Sequence, residues 1–328
     1  MPNILITGAS GYMGKLLTDR LAKNLQQSSL PNGLVGGVTV VASDVRPVPS
    51  HLQQKGIAYT EADIRNPKLL QQLMQQYNIE TVIHLAAVVT PKAGQSRQLQ
   101  YDIDVVGTKN VVECCLLCGV RRLIITSSGA AYGYHADNPA WLTEEMPLRG
   151  NEAFAYAHHK RLVEEMLAQY RQTNPELLQI VFRVGTVLGK TTNNQITDLF
   201  RKHIVLGIRG SDSPFVFIWD EDVVSCLERA ITAEQGGIYN LAGDGALSMA
   251  QIAHILHKPY LALPAAWVRG GLRLLHRFGL TQYGAEQVLF LQYRPVLSNE
   301  KLKNEFGYTP VLTSKQVFKC FSSNNWQV

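Results

Sequence analysis

Two residues with a chemically useful spacing, Tyr156 and Lys160, lie four apart in the stretch Tyr-Ala-His-His-Lys. Residues four apart share one face of a helix, so the phenol and the ammonium group would point in the same direction. A nearby cation favours the phenolate and lowers the pKa of a tyrosine. Such a pair can donate and accept a proton close to neutral pH.

A glycine-rich loop near the amino terminus is the second motif. Gly8, Gly11 and Gly14 follow a short apolar run and precede a helical pattern. In this context the first glycine allows a tight turn, the second lets the backbone approach a pyrophosphate, and the third allows close packing. The phosphates would lie at the helix N-terminus, where N–H groups and the helix dipole favour negative charge. The two motifs together predict a hydride-transfer enzyme.

The end of the second predicted strand indicates which dinucleotide binds. Asp44 stands there, where a carboxylate can accept both ribose hydroxyls and would repel a 2′-phosphate. This favours NAD, although Arg46 could reach a phosphate and leaves NADP open. After the third strand, Asp63 could bind the adenine amino group and Ile64 could pack on the ring. An N-cap or turn aspartate is the alternative for Asp63.

The elements that must position these residues follow from the hydrophobic pattern. Strands alternate with helices in the first half, which predicts an α/β fold with a Rossmann-type doubly wound parallel sheet. The predicted strands are Asn3–Thr7, Thr39–Ser43, Ala58–Glu61, Thr81–Leu85, Arg122–Ser127, Gln179–Arg183 and Gly237–Leu241. The predicted helices are Met13–Gln26, Pro67–Tyr77, Gln98–Cys118, Glu152–Gln172, Asp220–Thr232 and Ser248–His257.

Two domains are expected. Residues 1–186 would bind the cofactor, with a later segment, about 215–245, returning to this domain. Residues 187–328 would form a smaller, mostly helical substrate-binding region. Ser28–Gly37 is predicted to be a surface insertion. Ala265–Gly279 is an amphipathic, basic segment, and we expect a helix packed on the substrate domain with solvated arginines; association with a membrane surface is the alternative.

Composition excludes several classes of partner. The chain has 328 residues, and its 31 Lys and Arg against 26 Asp and Glu give a net charge of +5, too small and scattered to indicate nucleic-acid binding. No apolar run reaches the roughly 18 residues of a membrane span. Cys115 and Cys118 form a Cys-x-x-Cys pair, but the sequence has no second pair or His-x-x-x-His partner for it, so we expect no metal site. Free cysteines, and an amino end that passes directly into a strand, predict a cytoplasmic protein.

Several further motifs carry a resemblance to a known family. They are Thr7-Gly8-x-x-Gly11-x-x-Gly14, His84-Leu85-Ala86-Ala87, Gly107-Thr108-Lys109-Asn110, the Ser127–Gly133 segment, Tyr156-x-x-x-Lys160, Arg183–Gly189 and Phe306–Pro310. Over nearly its whole length the chain resembles the extended short-chain dehydrogenase/reductase superfamily, the NAD-dependent epimerase/dehydratase group. The resemblance implies a Rossmann domain, a smaller domain closing over a small-molecule substrate, and a homodimer formed through Gln98–Cys118 and Glu152–Gln172.

The resemblance also implies roles for individual residues. Tyr156 would be the catalytic acid and base, Lys160 would hold the nicotinamide ribose, and Ser128 would hydrogen-bond the reacting oxygen. The implied cofactor-binding residues are Gly8, Gly11, Tyr12, Met13, Gly14, Asp44, Asp63, Ile64, Leu85, Ala86, Ala87, Tyr156, Lys160 and Val184. The implied substrate-binding residues are Val88, Gly129 and Thr186.

Departures from the family pattern narrow the reaction. Family dehydratases place an acidic pair after the catalytic serine or threonine, whereas Gly129 and Ala130 stand here, which disfavours a dehydratase. Nucleotide-sugar enzymes usually carry Asn at the position of Thr186 and an arginine where Ser213 and Pro214 stand. The missing arginine weakens the prediction of a nucleotide-sugar substrate, because an arginine clamp binds a diphosphate well. Arg201, Arg209 or Arg269 could take its place, so this substrate class stays open.

The leading prediction is an NAD(P)-dependent oxidoreductase that interconverts a secondary alcohol and a ketone with a Ser-Tyr-Lys triad. A nucleotide-sugar epimerase with a transient keto intermediate is the first alternative. A non-catalytic protein that senses NAD(H) is the second, and the presence of Ser128, Tyr156 and Lys160 argues against it.

Overall fold

A computed structural model describes residues 2–27, 38–90, 94–281 and 284–326, so the predicted insertion Ser28–Gly37 lies outside the described residues. The chain forms two compact units. The first consists of Met1–Ser127, His159–Arg183 and Asp220–Tyr239, and the second of Ser128–His158, Val184–Trp219 and Asn240–Val328. The boundary expected at residue 186 separates a cofactor-binding domain from a substrate-binding domain, and this division of roles stays a prediction.

The strands occur close to where the apolar runs predict them. They are β1 (Asn3–Thr7), β2 (Val40–Asp44), β3 (Ile57–Glu61), β4 (Ile79–His84), β5 (Arg122–Ser128), β6 (Leu178–Val184), β7 (Thr186–Leu188), β8 (Val205–Ile208), β9 (Phe217–Trp219), β10 (Gly237–Leu241) and β11 (Tyr260–Leu263). Seven of them form one parallel sheet in the order β10-β6-β5-β4-β1-β2-β3. This confirms the predicted Rossmann-type sheet.

The sheet has its topological switch point between β1 and β4. From β1 the chain proceeds outward through β2 to β3, and then returns to place β4 on the other side of β1. In open α/β sheets, ligands bind in the crevice at the carboxyl ends of the strands at such a point. The glycine loop follows β1 and the Leu85–Val88 segment follows β4, so both lie at this edge.

The helices are α1 (Tyr12–Gln26), α2 (Pro67–Gln76), α3 (Arg97–Tyr101), α4 (Thr108–Leu117), α5 (Ala155–Thr173), α6 (Gln195–Arg201), α7 (Asp220–Ala230), α8 (Met249–Ile255), α9 (Ala265–Arg277), α10 (Gln287–Gln292), α11 (Glu300–Asn304) and α12 (Ser314–Ser323). The helix predicted to begin at Glu152 begins three residues later, because Asn151 accepts a hydrogen bond from the Phe154 N–H in a preceding turn (3.0 Å).

The predicted helix Gln98–Cys118 is not regular. A π-helical segment, Asp102–Gly107, separates α3 from α4. The Thr108 hydroxyl donates to the Asp104 carbonyl at 2.6 Å, and such a side-chain bond within a helix disturbs its regular ladder. A Cβ added at Gly107 would lie 2.6 Å from Ile64 Cδ1, so the π-helical segment packs closely on the loop that follows β3. Periodicity alone does not reveal such a segment.

The second compact unit has its own aromatic core and two short sheets. The β7–β9 and β8–β11 pairs are both parallel. Phe200, Phe215, Phe217 and Phe318 are almost completely buried and contact one another edge-on or stacked. Aromatic pairs of this kind contribute about 1 kcal/mol each beyond the burial of their area.

The amphipathic segment near residue 270 forms the expected helix, α9, with exposed arginines. The prediction that this helix packs on the substrate domain is only partly correct. Val268 and Leu272 are half-buried, but no residue of α9 is fully buried, and Trp267 and Phe278 are 71% and 68% exposed. Among the described residues, no helix has the length and apolar character needed to cross a bilayer.

Candidate functional site

The glycine loop adopts a conformation that excludes side chains at two of its positions. Gly8 has φ +76°, and a Cβ there would lie 2.5 Å from the Ala86 backbone nitrogen. A Cβ on Gly14 would collide with the Gly8 carbonyl, whereas one on Gly11 meets only that oxygen, at 3.1 Å. Gly11 is the N-cap of α1 and supplies no side-chain cap. Gly11 therefore offers no side chain to compete with an anion for the first N–H groups of α1.

Two of the predicted cofactor residues follow Gly11 on α1. Tyr12 donates its phenolic hydrogen to Asp220 Oδ2 at 2.5 Å, within the same compact unit. Burial raises the pKa of Asp220, and the bond from Tyr12 opposes this shift. Met13 is half-buried at the next position. Their roles toward a cofactor stay predictions.

Asp44 ends β2, as expected, and is 7% exposed. Its carboxylate accepts hydrogen bonds from the Ser10 N–H (3.0 Å) and from the Arg46 N–H (3.0 Å), while Arg46 Nε lies 3.2 Å away. These groups line a shallow pocket with Val48 and Tyr59. The backbone thus holds the Asp44 carboxylate between the glycine loop and this pocket. Arg46, which was expected to leave NADP open, is paired with Asp44.

The two residues predicted to contact adenine have other partners. Asp63 binds the Arg65 guanidinium through both carboxylate oxygens, and this bond holds the pKa of Asp63 below its usual range. Ile64 is 7% exposed and belongs to the core packed against α2 and α4. Little of the Ile64 side chain is therefore available to a ring. The adenine roles of both residues stay predictions.

The segment after β4 is held by a buried acid, Asp104. The Leu85 N–H donates to the Thr7 carbonyl at 3.0 Å, which keeps the segment beside β1. The Val88 N–H donates to Asp104 Oδ1 at 2.8 Å. Asp104 Oδ2 lies 3.0 Å from His159 Nδ1, and both side chains are almost completely buried. Asp104 thus connects the segment that contains Ala86 and Ala87 to α5.

Tyr156 and Lys160 both lie on α5, one helical turn apart, as predicted. Lys160 is 7% exposed, and its ammonium group donates to the Thr126 carbonyl at 2.8 Å. Burial lowers the pKa of Lys160, while Asp104 and Glu164 act in the opposite direction. Tyr156 is half-buried and packs on Ala130, Tyr134 and Ala157 in the second unit.

Ser128 is the last residue of β5 and the N-cap of a 3-10 turn, Gly129–Tyr132. Its Oγ accepts a hydrogen bond from the Ala130 N–H at 3.2 Å, so its own hydrogen remains available to another acceptor. A Cβ on Gly129 would lie 3.1 Å from Leu297, which explains a glycine there. Val184 ends β6 and Thr186 begins β7, where the Thr186 N–H donates to the Val216 carbonyl at 3.1 Å.

A buried arginine that sequence reasoning missed, Arg294, stacks on Phe290, which packs on the same apolar cluster as Tyr156. Arg294 is 6% exposed; its guanidinium stacks 3.8 Å from the centre of the Phe215 ring and bonds through Nη1 to Ser213. Its Nε and Nη2 have no hydrogen-bond acceptor among the residues that the structure describes. Burial lowers the pKa of Arg294 to about 9, so it stays charged at neutral pH. Two free N–H directions on a buried cation suit an anionic ligand.

Comparisons with known sequences identify the family of the chain. Residues 4–242 match a model of the NAD dependent epimerase/dehydratase family. An uncharacterized protein of Mycobacterium tuberculosis is 26% identical over 320 residues, covering 96% of this chain and 82% of that protein. The UDP-glucose 4-epimerase of Neisseria meningitidis is 26% identical over 190 residues, covering 58% of this chain and 54% of the epimerase.

Solved structures show the same fold. A UDP-glucose 4-epimerase from Thermotoga maritima, with UDP-glucose, has a TM-score of 0.73 at 17% identity and covers 98% of this chain and 97% of its own. A dTDP-glucose 4,6-dehydratase from Bacillus anthracis, in complex with NAD, has a TM-score of 0.72 at 18% identity and covers 98% and 96%. The family match confirms the predicted family, the prediction that the protein is an enzyme, and its NAD dependence. The chain belongs to the NAD dependent epimerase/dehydratase family of enzymes.

Proposed function

We propose that the protein is an NAD-dependent oxidoreductase that interconverts a secondary alcohol and a ketone. The observation that carries the proposal is on α5, where Tyr156 lies one turn before Lys160 and the Lys160 ammonium is buried and bound to the Thr126 carbonyl. A buried cation beside a phenol favours the phenolate and so makes the tyrosine a base near neutral pH.

The residues around the first unit's glycine loop fit a dinucleotide. The crowding at Gly8 and Gly14 leaves bare backbone where phosphates would lie, and the uncapped N-terminus of α1 would bind them. Asp44 would accept the adenosine ribose hydroxyls, and Leu85, Ala86, Ala87 and Val184 would line the remaining length. Bound NAD supplies the hydride acceptor at its nicotinamide ring.

The proton step belongs to Tyr156 and Ser128. In the oxidising direction the Tyr156 phenolate oxygen takes the proton of the substrate hydroxyl, while the carbinol hydrogen leaves as hydride and the C–O bond becomes a carbonyl. Ser128 donates its free hydrogen to the reacting oxygen. Lys160 would hold the nicotinamide ribose and keep the tyrosine pKa low. Val88, Gly129 and Thr186 would contact the substrate.

A nucleotide-sugar epimerase is the second candidate, and Arg294 favours it. The N–H groups on Nε and Nη2 of this buried guanidinium would bind a diphosphate, and they could replace the arginine that is missing at residues 213–214. The likeness to UDP-glucose 4-epimerases supports the same substrate class. Such an enzyme would keep its NAD during purification and show no net cofactor turnover. The oxidoreductase would exchange NAD and change nicotinamide absorbance with substrate.

The test is Tyr156→Phe, assayed with alcohols, ketones and nucleotide sugars. The change removes the acid and base without removing the ring, so kcat should fall by about 10²-fold or more while NAD affinity changes little. Tyr170→Phe, at the far end of the same helix, is the matched control and should keep wild-type activity. If the wild type and Tyr156→Phe turn over the same substrates equally well, Tyr156 is not the catalytic acid and base. If neither turns over any substrate, the protein is instead a sensor of NAD(H).

We further propose a cytoplasmic homodimer. The buried thiols of Cys114 and Cys226 are free, and burial raises their pKa to about 11 and well above the usual range, respectively. Thiols with raised pKa are poorly reactive, which suits a reducing compartment. The dimer would form through α4 and α5, and sedimentation velocity would measure it.

A further inference from the structure

Helix α9 presents two separate rows of exposed side chains. Trp267, Leu274 and Phe278, at spacings of seven and four, form an apolar stripe whose members are 71%, 58% and 68% exposed. Residues at these spacings share one face of a helix. The arginines of α9 follow each other at intervals of four on another face; they are Arg269, Arg273 and Arg277, and all three are exposed. We call these six residues the α9 surface.

The strands that lead into α9 continue the same chemistry. Leu206 of β8 and Leu261 of β11 are opposite each other in the parallel register and are 47% and 44% exposed. Ile204, two residues before Leu206, is 46% exposed, and Tyr260, directly before Leu261, is 39% exposed. β11 ends at Leu263, two residues before α9 begins. Apolar side chains in such number are unusual on a surface that contacts only water.

The charge of this region has one sign. Between Asp244 and Glu286 the sequence contains no acidic residue. Over the same interval its basic side chains are His254, His257, Lys258, Arg269, Arg273, His276 and Arg277. An apolar stripe flanked by arginines is the pattern of a helix that lies in the interface of an anionic membrane, with its apolar residues in the acyl boundary and its cations at the phosphates.

A second copy of the chain is a poorer occupant of this surface. A twofold contact places the same patch on both subunits, so each arginine row would face its own copy. Like charges in an interface oppose association. An anionic bilayer meets both the apolar and the cationic row of the α9 surface at once, because arginine can extend along the helix to the headgroups.

We propose that the α9 surface binds the face of an anionic phospholipid bilayer, with Trp267, Leu274 and Phe278 in the interface and the three arginines at the lipid phosphates. This peripheral attachment goes beyond the proposed oxidoreductase activity and does not depend on it.

The test is sedimentation of the full chain with phosphatidylcholine vesicles, with and without phosphatidylglycerol. The wild type should bind only the anionic vesicles, and binding should weaken as salt is added. Arg273→Glu with Arg277→Glu should lower the partition coefficient at least tenfold. The matched control is Lys315→Glu with Lys319→Glu, an exposed pair with the same spacing on α12, which should bind as the wild type does.

A second pair of variants tests the apolar row. Trp267→Ser with Phe278→Ser should also lower the partition coefficient at least tenfold, whereas Val311→Ser, at a residue that is 59% exposed and precedes α12, should leave it unchanged. The proposal is overturned if the wild type ignores anionic vesicles at low salt, or if the two charge-reversal variants lose binding equally. It is also overturned if the apolar variant turns a dimer into a monomer, as measured by sedimentation velocity, without any loss of vesicle binding.

Discussion

His84 shows how burial sets a protonation state beside the glycine loop. Its Nδ1 lies 2.6 Å from the Thr7 hydroxyl and its Nε2 lies 2.9 Å from the Thr108 hydroxyl. Because the Thr108 hydroxyl donates to the Asp104 carbonyl, it accepts from His84 Nε2–H, and Nδ1 accepts from Thr7. A neutral imidazole satisfies both bonds. Burial, with the Lys160 charge adding to it, lowers the pKa of His84 to about 3.

This state makes stability depend on pH. Between pH values of about 3 and 6.5 the unfolded chain binds a proton at His84 that the folded chain does not. As the pH is lowered through this window, the free energy of unfolding therefore falls by about 1.4 kcal/mol per pH unit. Above about pH 6.5 the stabilising contribution of the neutral His84 is fully present. His84→Gln should lose that slope in urea unfolding between about pH 6 and about pH 5. Parallel pH dependences of wild type and variant would contradict the assignment.

Asp44 is the residue at which cofactor choice can be tested. The Ser10 and Arg46 N–H groups bond different oxygens of Asp44, so Asp44→Asn keeps an acceptor for only one of them and removes the charge that binds ribose hydroxyls and repels a 2′-phosphate. We expect NAD affinity to fall about tenfold, or about 1.4 kcal/mol, and NADP affinity to rise because Arg46 is released. Titration with both dinucleotides measures this. Asp63→Asn is the control and should leave the NAD-to-NADP ratio unchanged.

At the scale of elements, two glycines at the start of α1 have different roles. Gly14 is needed for close packing, whereas Gly11 faces the ligand. A Cβ on Gly14 would collide with the Gly8 carbonyl, so Gly14→Ala should lower the stability of the β1–α1 turn by about 1–3 kcal/mol. A Cβ on Gly11 is tolerated with a small shift, so Gly11→Ala should fold normally but bind NAD less tightly. Thermal unfolding and NAD titration together distinguish the two effects. Equal losses of stability in both variants would contradict this account.

The elements themselves were mostly predictable. β1 and β10 have the bounds that the sequence predicts, and the other predicted strands differ by one or two residues, because apolar runs bounded by glycine and polar residues define a buried parallel strand. The π-helical segment Asp102–Gly107 was not predictable. It depends on the close contact of Gly107 with Ile64, which lies far away in the sequence.

At the scale of the whole molecule, NAD should stabilise the unit that contains the glycine loop. At a concentration of about 100 times Kd, a ligand raises the free energy of unfolding by about 2.7 kcal/mol. Because the chain has two compact units, a single melting temperature is a poor measure, and hydrogen exchange is better. NAD should slow exchange at residues 8–14, 44–46 and 85–88. NAD should leave the exchange rates in α9 unchanged. If NAD slowed exchange only in α9, the proposed placement of the cofactor would be contradicted.

The family, the Rossmann sheet and the candidate catalytic and cofactor residues followed from the sequence by itself. Strand ends, glycine loops and a tyrosine one helical turn before a lysine are local patterns, and local patterns specify local conformation. The tertiary structure decided which distant side chains meet. Asp104 and His159 are 55 residues apart, and Arg294 and Ser213 are 81 apart, so no spacing could pair them.

The exposure of α9 was likewise decided by the tertiary structure. An amphipathic pattern predicts that a helix has an apolar face, but it does not state what covers that face. In the structure α9 buries none of its residues completely and leaves Trp267 and Phe278 largely exposed. Burial is a property of how elements pack together, whereas periodicity is a property of one element. The sequence therefore determined the family of this protein and its candidate catalytic residues, and the tertiary packing determined which of its surfaces remain exposed.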